Sequence, residues 1–189
     1  MKPALIVVDM LRDSFEKHPE SAVVQAARAF LPRLNKLIDL FHENQMPVIF
    51  ACDSFLPQDF IFKGKMKPHS LRGTVGEEVI PELHRNPEDY VLPKRRFSAF
   101  FKTDLDQTLR ALGVDTVMIS GIATTICVLT TALDAVSNDF EAILVEDCCA
   151  AHRPEHHEAV LDAYRKTPLF PLLRVLTCSE CRDAVSALR

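Results

Sequence analysis

The sequence predicts an α/β domain built on a parallel sheet with helices on both faces, and three observations carry that expectation. Strand-like and helix-like stretches alternate along the chain, the arrangement that builds parallel sheets through crossover helices. The strand candidates are unbroken apolar runs rather than alternating ones, as strands covered on both faces require. The helical stretches between them carry their apolar residues at helical spacing, which leaves one face of each for the sheet.

Composition sets the limits. A chain of 189 residues with 48% hydrophobic and 25% charged content fits one globular domain over residues 1–189. A net charge of -4 and a pI near 6.0, without a long basic block, give no electrostatic reason to expect nucleic acid or an anionic membrane as partner. No apolar stretch approaches the ~20 residues of a membrane span. The first apolar run is broken by Asp9 with no small-residue cleavage site after it, so it is not read as a signal peptide. Six cysteines are too sparse for a disulfide scaffold, and the expectation is a cytoplasmic protein with free thiols.

In chain order, Ala4 to Val8 is a first strand ending at Asp9, and residues 21 to 45 form a long helical pattern in which Pro32 predicts a kink or two pieces. Val48 to Cys52 is a second strand ending at Asp53. Residues 54 to 76 lack periodicity and hold three glycines and two prolines, a long loop of the kind kept for binding or covering a site. Thr74 with Glu77 has capping-box spacing and predicts a helix to about Leu83.

Tyr90 to Leu92 is a short strand candidate closed by Pro93, with Lys94 next. Thr103 with Asp106 repeats the capping spacing before a helix stopped by Gly113. Val117 to Ile119 reads as a buried strand turning at Ser120-Gly121 into a helix whose first turn holds Cys127. Ala142 to Val145 is the next strand, ending at Glu146-Asp147; Pro154 opens a helix to about Lys166; Leu172 to Leu176 is a last strand. Thr177 with Glu180 opens the final helix.

That order places Asp9, Asp53, Lys94, the turn before Cys127, and Asp147 at carboxyl ends of strands, which share one edge of a parallel sheet and are where such folds keep functional groups. A thiol in the first turn of a helix faces unpaired N–H groups and a positive dipole, which favour the thiolate and suit an oxyanion. An Asp there can take the thiol proton, and a Lys can lower both pKa values and hold an anionic intermediate. Taken singly, Cys127 also fits a small buried hydrophobe and Asp9 an acceptor for turn N–H groups.

Four pieces together narrow the choice: Leu5-Ile6-Val7-Val8-Asp9-Met10; Lys94 with Arg96-Phe97-Ser98-Ala99-Phe100; Gly121-Ile122-Ala123-Thr124-Thr125-Ile126-Cys127-Val128 with Ala132 and Asp134; and Glu146-Asp147-Cys148-Cys149-Ala150. At these residues the chain resembles the isochorismatase-like cysteine hydrolases, a superfamily of nicotinamidases, N-carbamoylsarcosine amidases and related amidohydrolases. The resemblance implies a three-layer α/β/α sandwich on a mostly parallel six-stranded sheet and a triad of Asp9, Lys94 and Cys127. It also implies an oxyanion hole from the N–H groups of Ala123 and Cys127, a cis peptide between Ile122 and Ala123, and a homo-oligomer. The activity implied is cleavage of a small amide or carbamoyl compound through a thioester, with no cofactor; the alternative is a catalytically idle relative that binds a ligand or partner in the same pocket. Retention of Cys127 favours acyl chemistry over the vinyl-ether cleavage of true isochorismatases.

Nicotinamidases of this type carry an Asp-x-His pair after the second strand and a later His, which bind a metal. Here the strand end reads Asp53-Ser54-Phe55, and only His69 remains in the following loop. Asp53, Asp59 and His69 are a remnant set, and no metal site is assigned because zinc sites demand more imidazole or thiolate than this. Asp53, Phe55, His69 and Phe15 are the expected substrate contacts. Phe60, Phe62, Phe97 and Phe100 are further aromatic candidates for pocket walls. Cys178 and Cys181 lack the companion pair of a zinc or redox site, and His152, His156 and His157 read as a solvated helix face.

Overall fold

The apolar runs become strands. The computed structural model describes residues 1–188 and contains β1 (Pro3–Val8), β2 (Val48–Asp53), β3 (Tyr90–Lys94), β4 (Thr116–Ile122), β5 (Glu141–Ala150) and β6 (Leu173–Leu176). Between and after them lie α1 (Arg12–Lys17), α2 (Ala22–Glu43), α3 (Leu105–Ala111), α4 (Leu129–Ser137), α5 (Pro154–Arg165) and α6 (Cys178–Ser186). The strands form one sheet of order β3-β2-β1-β4-β5-β6, and every neighbouring pair is parallel. This is the expected α/β fold, with the sheet wholly rather than mostly parallel.

Alternate residues of the central strands feed two cores. Leu5 and Val7 face the residues of α1, α2 and α6, including Phe15, Leu34, Phe41 and Val185. Ala4, Ile6 and Val8 face those of α3, α4 and α5, including Leu109, Ala132 and Leu161. Because each face of a continuous apolar strand is covered, burying these side chains contributes about 25 cal/mol for each Å² removed from water on both sides of the sheet. No helix among the described residues is long and apolar enough to cross a membrane.

Several expectations need correction. The long helix α2 runs unbroken through Pro32. Pro32 is exposed, and the apolar face on the opposite side, from Val24 to Phe41, stays buried in one core, so packing holds the helix across the missing N–H. The helix expected after Thr74 to about Leu83 is only a single 3-10 turn, Val75–Glu77. Glu78 and Ile80 instead pair their backbone with Arg12 and Met10 at 2.9 and 3.0 Å, and Pro81 has no N–H to continue a helix.

Capping chemistry shows the same competition. Thr103 donates to the Ala99 carbonyl and accepts from Leu105 N–H at 3.3 Å, so α3 starts after Asp104 without the expected box. The box at Thr177 and Glu180 forms as expected. Pro93 lies inside β3 rather than ending it, which an edge strand tolerates.

Candidate active site

The chain leaves β1 toward β2 and β3, then returns across the sheet to β4, β5 and β6. The order therefore reverses between β1 and β4, the switch point at which open parallel sheets form a crevice at the strand carboxyl ends. Asp9 follows β1 directly and Ala123 follows β4, so the two residues flank that crevice. Gly121 permits the approach of the strands: its φ is 106°, and a Cβ there would lie 2.1 Å from the Val8 carbonyl oxygen.

Asp9 has a φ of 51°, a left-handed conformation that Asp adopts more readily than most residues. Its Oδ1 accepts from the Asp53 N–H at 2.8 Å, and its Oδ2 accepts from Lys94 Nζ at 2.8 Å. Lys94 also donates to Asp53 Oδ1 at 2.5 Å. The pairing follows from register, since Asp53 of β2 lies beside Lys94 of β3. The Cys127 sulfur and one carboxylate oxygen each from Asp9 and Asp53 all lie within 4.8 Å of one another. Cys127 sits in a π-helical turn, Thr124–Val128, that precedes α4, and the peptide bond between Ile122 and Ala123 is cis.

Lys94 is fully buried. Burial opposes its charge, but the charges of Asp9, Cys127 and Asp53 outweigh it and hold the pKa above the ordinary lysine value. Burial and the neighbouring Asp9 push the Asp53 carboxyl up to about 7. Burial also pushes the Cys127 thiol well above its ordinary value, with Asp9 adding to the rise and Lys94 opposing it. This corrects the expectation that the helix start and Lys94 would leave a resting thiolate. Desolvation exceeds both, so the sulfur rests as a neutral thiol beside a carboxylate.

A cavity of about 690 Å³ opens over these groups and is lined by Asp9, Asp53, Ile122, Ala123 and Cys127 on its floor, with His69, Phe97 and His152 among its walls. Of the expected substrate contacts, Asp53 and His69 line it, while Phe15 and Phe55 do not. Phe15 belongs to the core beside α2. Phe55 is fully buried and supports His69 edge-on from behind, with ring centroids 5.2 Å apart. Phe60 is largely exposed.

The remnant donor set does not assemble for a metal. Asp59 turns to the Arg95 and Arg96 guanidiniums and the Leu56 N–H, Asp53 serves Lys94, and His69 Nε2 is 3.9 Å from Asp53. A cation among Asp9, Asp53 and Cys127 would face the Lys94 ammonium. Asp147, expected at the functional edge, lies inside β5, which runs on to Ala150. It accepts from the Cys178 N–H at 2.6 Å and pairs with Arg33 at 3.3 Å, so it caps α6 and takes no part in the crevice.

Two contacts had no signature in the local sequence. Asp13 Oδ2 accepts from the Ser70 N–H at 2.8 Å and fastens the cavity loop. His157 is half-buried rather than solvated, and its Nδ1 lies 2.8 Å from the hydroxyl of Thr124, which opens the turn that carries Cys127. The usual exposure of histidine on polar faces had placed His152, His156 and His157 alike on a solvated helix face.

Residues 3–177 match the model of the Isochorismatase domain. The chain belongs to the isochorismatase family. Within that family it is 33% identical over 172 residues to a probable inactive nicotinamidase of Arabidopsis thaliana, covering 84% of this chain and 86% of that one. Its fold superposes on an isochorismatase-like hydrolase from Alkaliphilus metalliredigens with a TM-score of 0.85, at 30% identity over 97% of this chain and 99% of the other. It superposes on the N-carbamoylsarcosine amidase of Thermoplasma acidophilum with a TM-score of 0.81, at 34% identity over 94% and 97% of the two chains. The isochorismatase family thus includes an amidase that is close to this chain in both sequence and fold.

Proposed function

We propose that the protein is a cysteine-dependent amidohydrolase that cleaves a small non-peptide amide or carbamoyl C–N bond through a thioester. The observation that carries this reading is the meeting of the Asp9 carboxylate and the Cys127 sulfur at the floor of one cavity, with the buried Lys94 ammonium bonded to Asp9 behind them. Similarity to an N-carbamoylsarcosine amidase supports C–N chemistry.

Because the resting sulfur is a neutral thiol, attack is coupled to proton transfer. Asp9 takes the thiol proton as Sγ bonds to the substrate carbonyl carbon. The electron pair of the C=O bond moves onto oxygen, where the N–H groups of Ala123 and Cys127 act as the oxyanion hole, while Lys94 supplies positive charge nearby. Collapse of the adduct expels ammonia or an amine, which leaves with the proton from Asp9. Water then attacks the thioester, again losing a proton to Asp9, and the acid product departs as the thiol is restored. Lys94 stays charged throughout. The reading extends to a cytoplasmic homo-oligomer that needs no metal or other cofactor.

A catalytically idle binding module is the second reading, favoured by the similarity to a relative described as probably inactive. An ammonia-release screen over nicotinamide, carbamoylated amino acids, ureido acids and simple amides separates the two. Release from at least one compound, lost in Cys127→Ala, supports the hydrolase; undiminished release in that variant removes the cysteine mechanism, and silence across the panel favours the idle module.

A further inference from the structure

We infer that the cavity selects an amide with an apolar body and an anionic far end, the anion being held at the mouth by Lys65 and Lys67. This assignment of a substrate class rests on the amidohydrolase reading of the same cavity.

The charges around the cavity are uneven once the internal pairs are set aside. Asp9 and Asp53 are committed to Lys94, and Asp13 is committed to Lys17 at 2.7 Å and to the Ser70 N–H at 2.8 Å. Lys65 and Lys67 line the same cavity, yet among the described residues neither has a carboxylate within ion-pair distance. At the floor two carboxylates share the single Lys94 ammonium, whereas at the entrance Lys65 and Lys67 have no such partner, so positive charge is concentrated at the mouth. Both lysines are exposed and therefore sit at the entrance, while Asp9 and Cys127 are buried below.

The loop that carries them is anchored. His69 Nδ1 lies 2.9 Å from the Lys67 carbonyl oxygen, and the Ser70 N–H is fixed by Asp13, so the Lys67 backbone is held against the cavity wall. Leu11, Val23, Met66, Phe97 and Ile126 supply an apolar lining between entrance and floor. A ligand that reaches Cys127 with its carbonyl therefore crosses apolar surface and ends beside ammonium groups. In a cleft of this kind, fixed charge raises the local concentration of an oppositely charged ligand.

Alkylation reads the charge without needing turnover. Cys127 is labelled with iodoacetate and with iodoacetamide, and the ratio of rates is followed by peptide mass spectrometry in the native protein and in the Lys65→Gln/Lys67→Gln double variant. Removing two exposed cations lowers that ratio by about threefold, and rising ionic strength narrows the difference. Binding to Cys127→Ala is then measured by calorimetry for 6-ureidohexanoate and for pentylurea, which has the same body without the carboxylate. Tighter binding of the acid, with the gap closing when both lysines are replaced, supports the assignment. An alkylation ratio unmoved by the double variant, equal binding of the two ligands, or binding of neither overturns it. Failure of the hydrolase reading appears separately, as absence of ammonia release by the native protein, and leaves these readouts unaffected.

Discussion

The backbone N–H of Asp53 donates to Oδ1 of Asp9 across 2.8 Å, and this bond ties the end of β2 to the residue after β1. With Oδ2 taken by Lys94 at 2.8 Å, the Asp9 carboxylate is held from two sides beside the Cys127 sulfur. In the proposed mechanism, a base that cannot swing away loses little orientational freedom when substrate arrives.

Lys94→Met removes the one ammonium between two buried carboxylates. Breaking a buried ion pair on one side costs about 3–5 kcal/mol, and the loss is read as a lowered urea midpoint at pH 7. Lys94→Arg does not restore stability, because a planar guanidinium does not replace a compact ammonium in a fully enclosed site. A midpoint within error of the native value would contradict the network.

The contribution of Asp53 to stability falls as pH rises. Its ordinary value is 3.8 and its folded value is raised to about 7. Between these two values the folded chain binds more protons at this site than the unfolded chain, so the contribution is fully present below 3.8 and gone above about 7. Denaturant midpoints from pH 4.5 to 7.5 check this, and Asp53→Asn flattens the decline. An equal slope in both proteins would assign the titration to another group.

His157→Ala leaves the Thr124 hydroxyl without its partner at 2.8 Å and loosens the turn that carries Cys127, the proposed nucleophile. Small misplacements of reacting groups cost rate more than binding, so kcat on any hydrolysed amide falls by about tenfold while KM changes little. His157→Gln, which keeps a hydrogen-bonding group, recovers part of the loss. Unchanged kcat in the alanine variant would leave His157 as a surface residue only.

Gly121→Ala forces a methyl group to within 2.1 Å of the Val8 carbonyl oxygen at a φ of 106°. The contact is with backbone of the neighbouring strand, which has no rotamer to move. The expected cost exceeds about 4 kcal/mol, enough to remove most of the stability of an ordinary domain. Thermal unfolding followed by circular dichroism tests this; a soluble variant with a native melting curve would show that β1 and β4 can separate.

The sequence alone determined the strands and singled out Asp9, Lys94 and Cys127 as the candidate reactive positions. Continuous apolar runs that end at one charged residue, as at Asp9, mark both the strand and its functional end, because a strand covered on both faces admits charge only where it leaves the sheet. Tertiary structure decided what those groups do to one another. The helix start and Lys94 favour a thiolate at Cys127, yet burial prevails, and burial is a property of everything packed around the sulfur. Asp147 looked like a strand end until β5 extended past it. The capping pair Thr74 and Glu77 lost its helix because Glu78 and Ile80 bond to Arg12 and Met10, far back along the chain. Local pattern records what a segment prefers, whereas the partners that satisfy its backbone and the solvent it loses are supplied by residues remote in sequence.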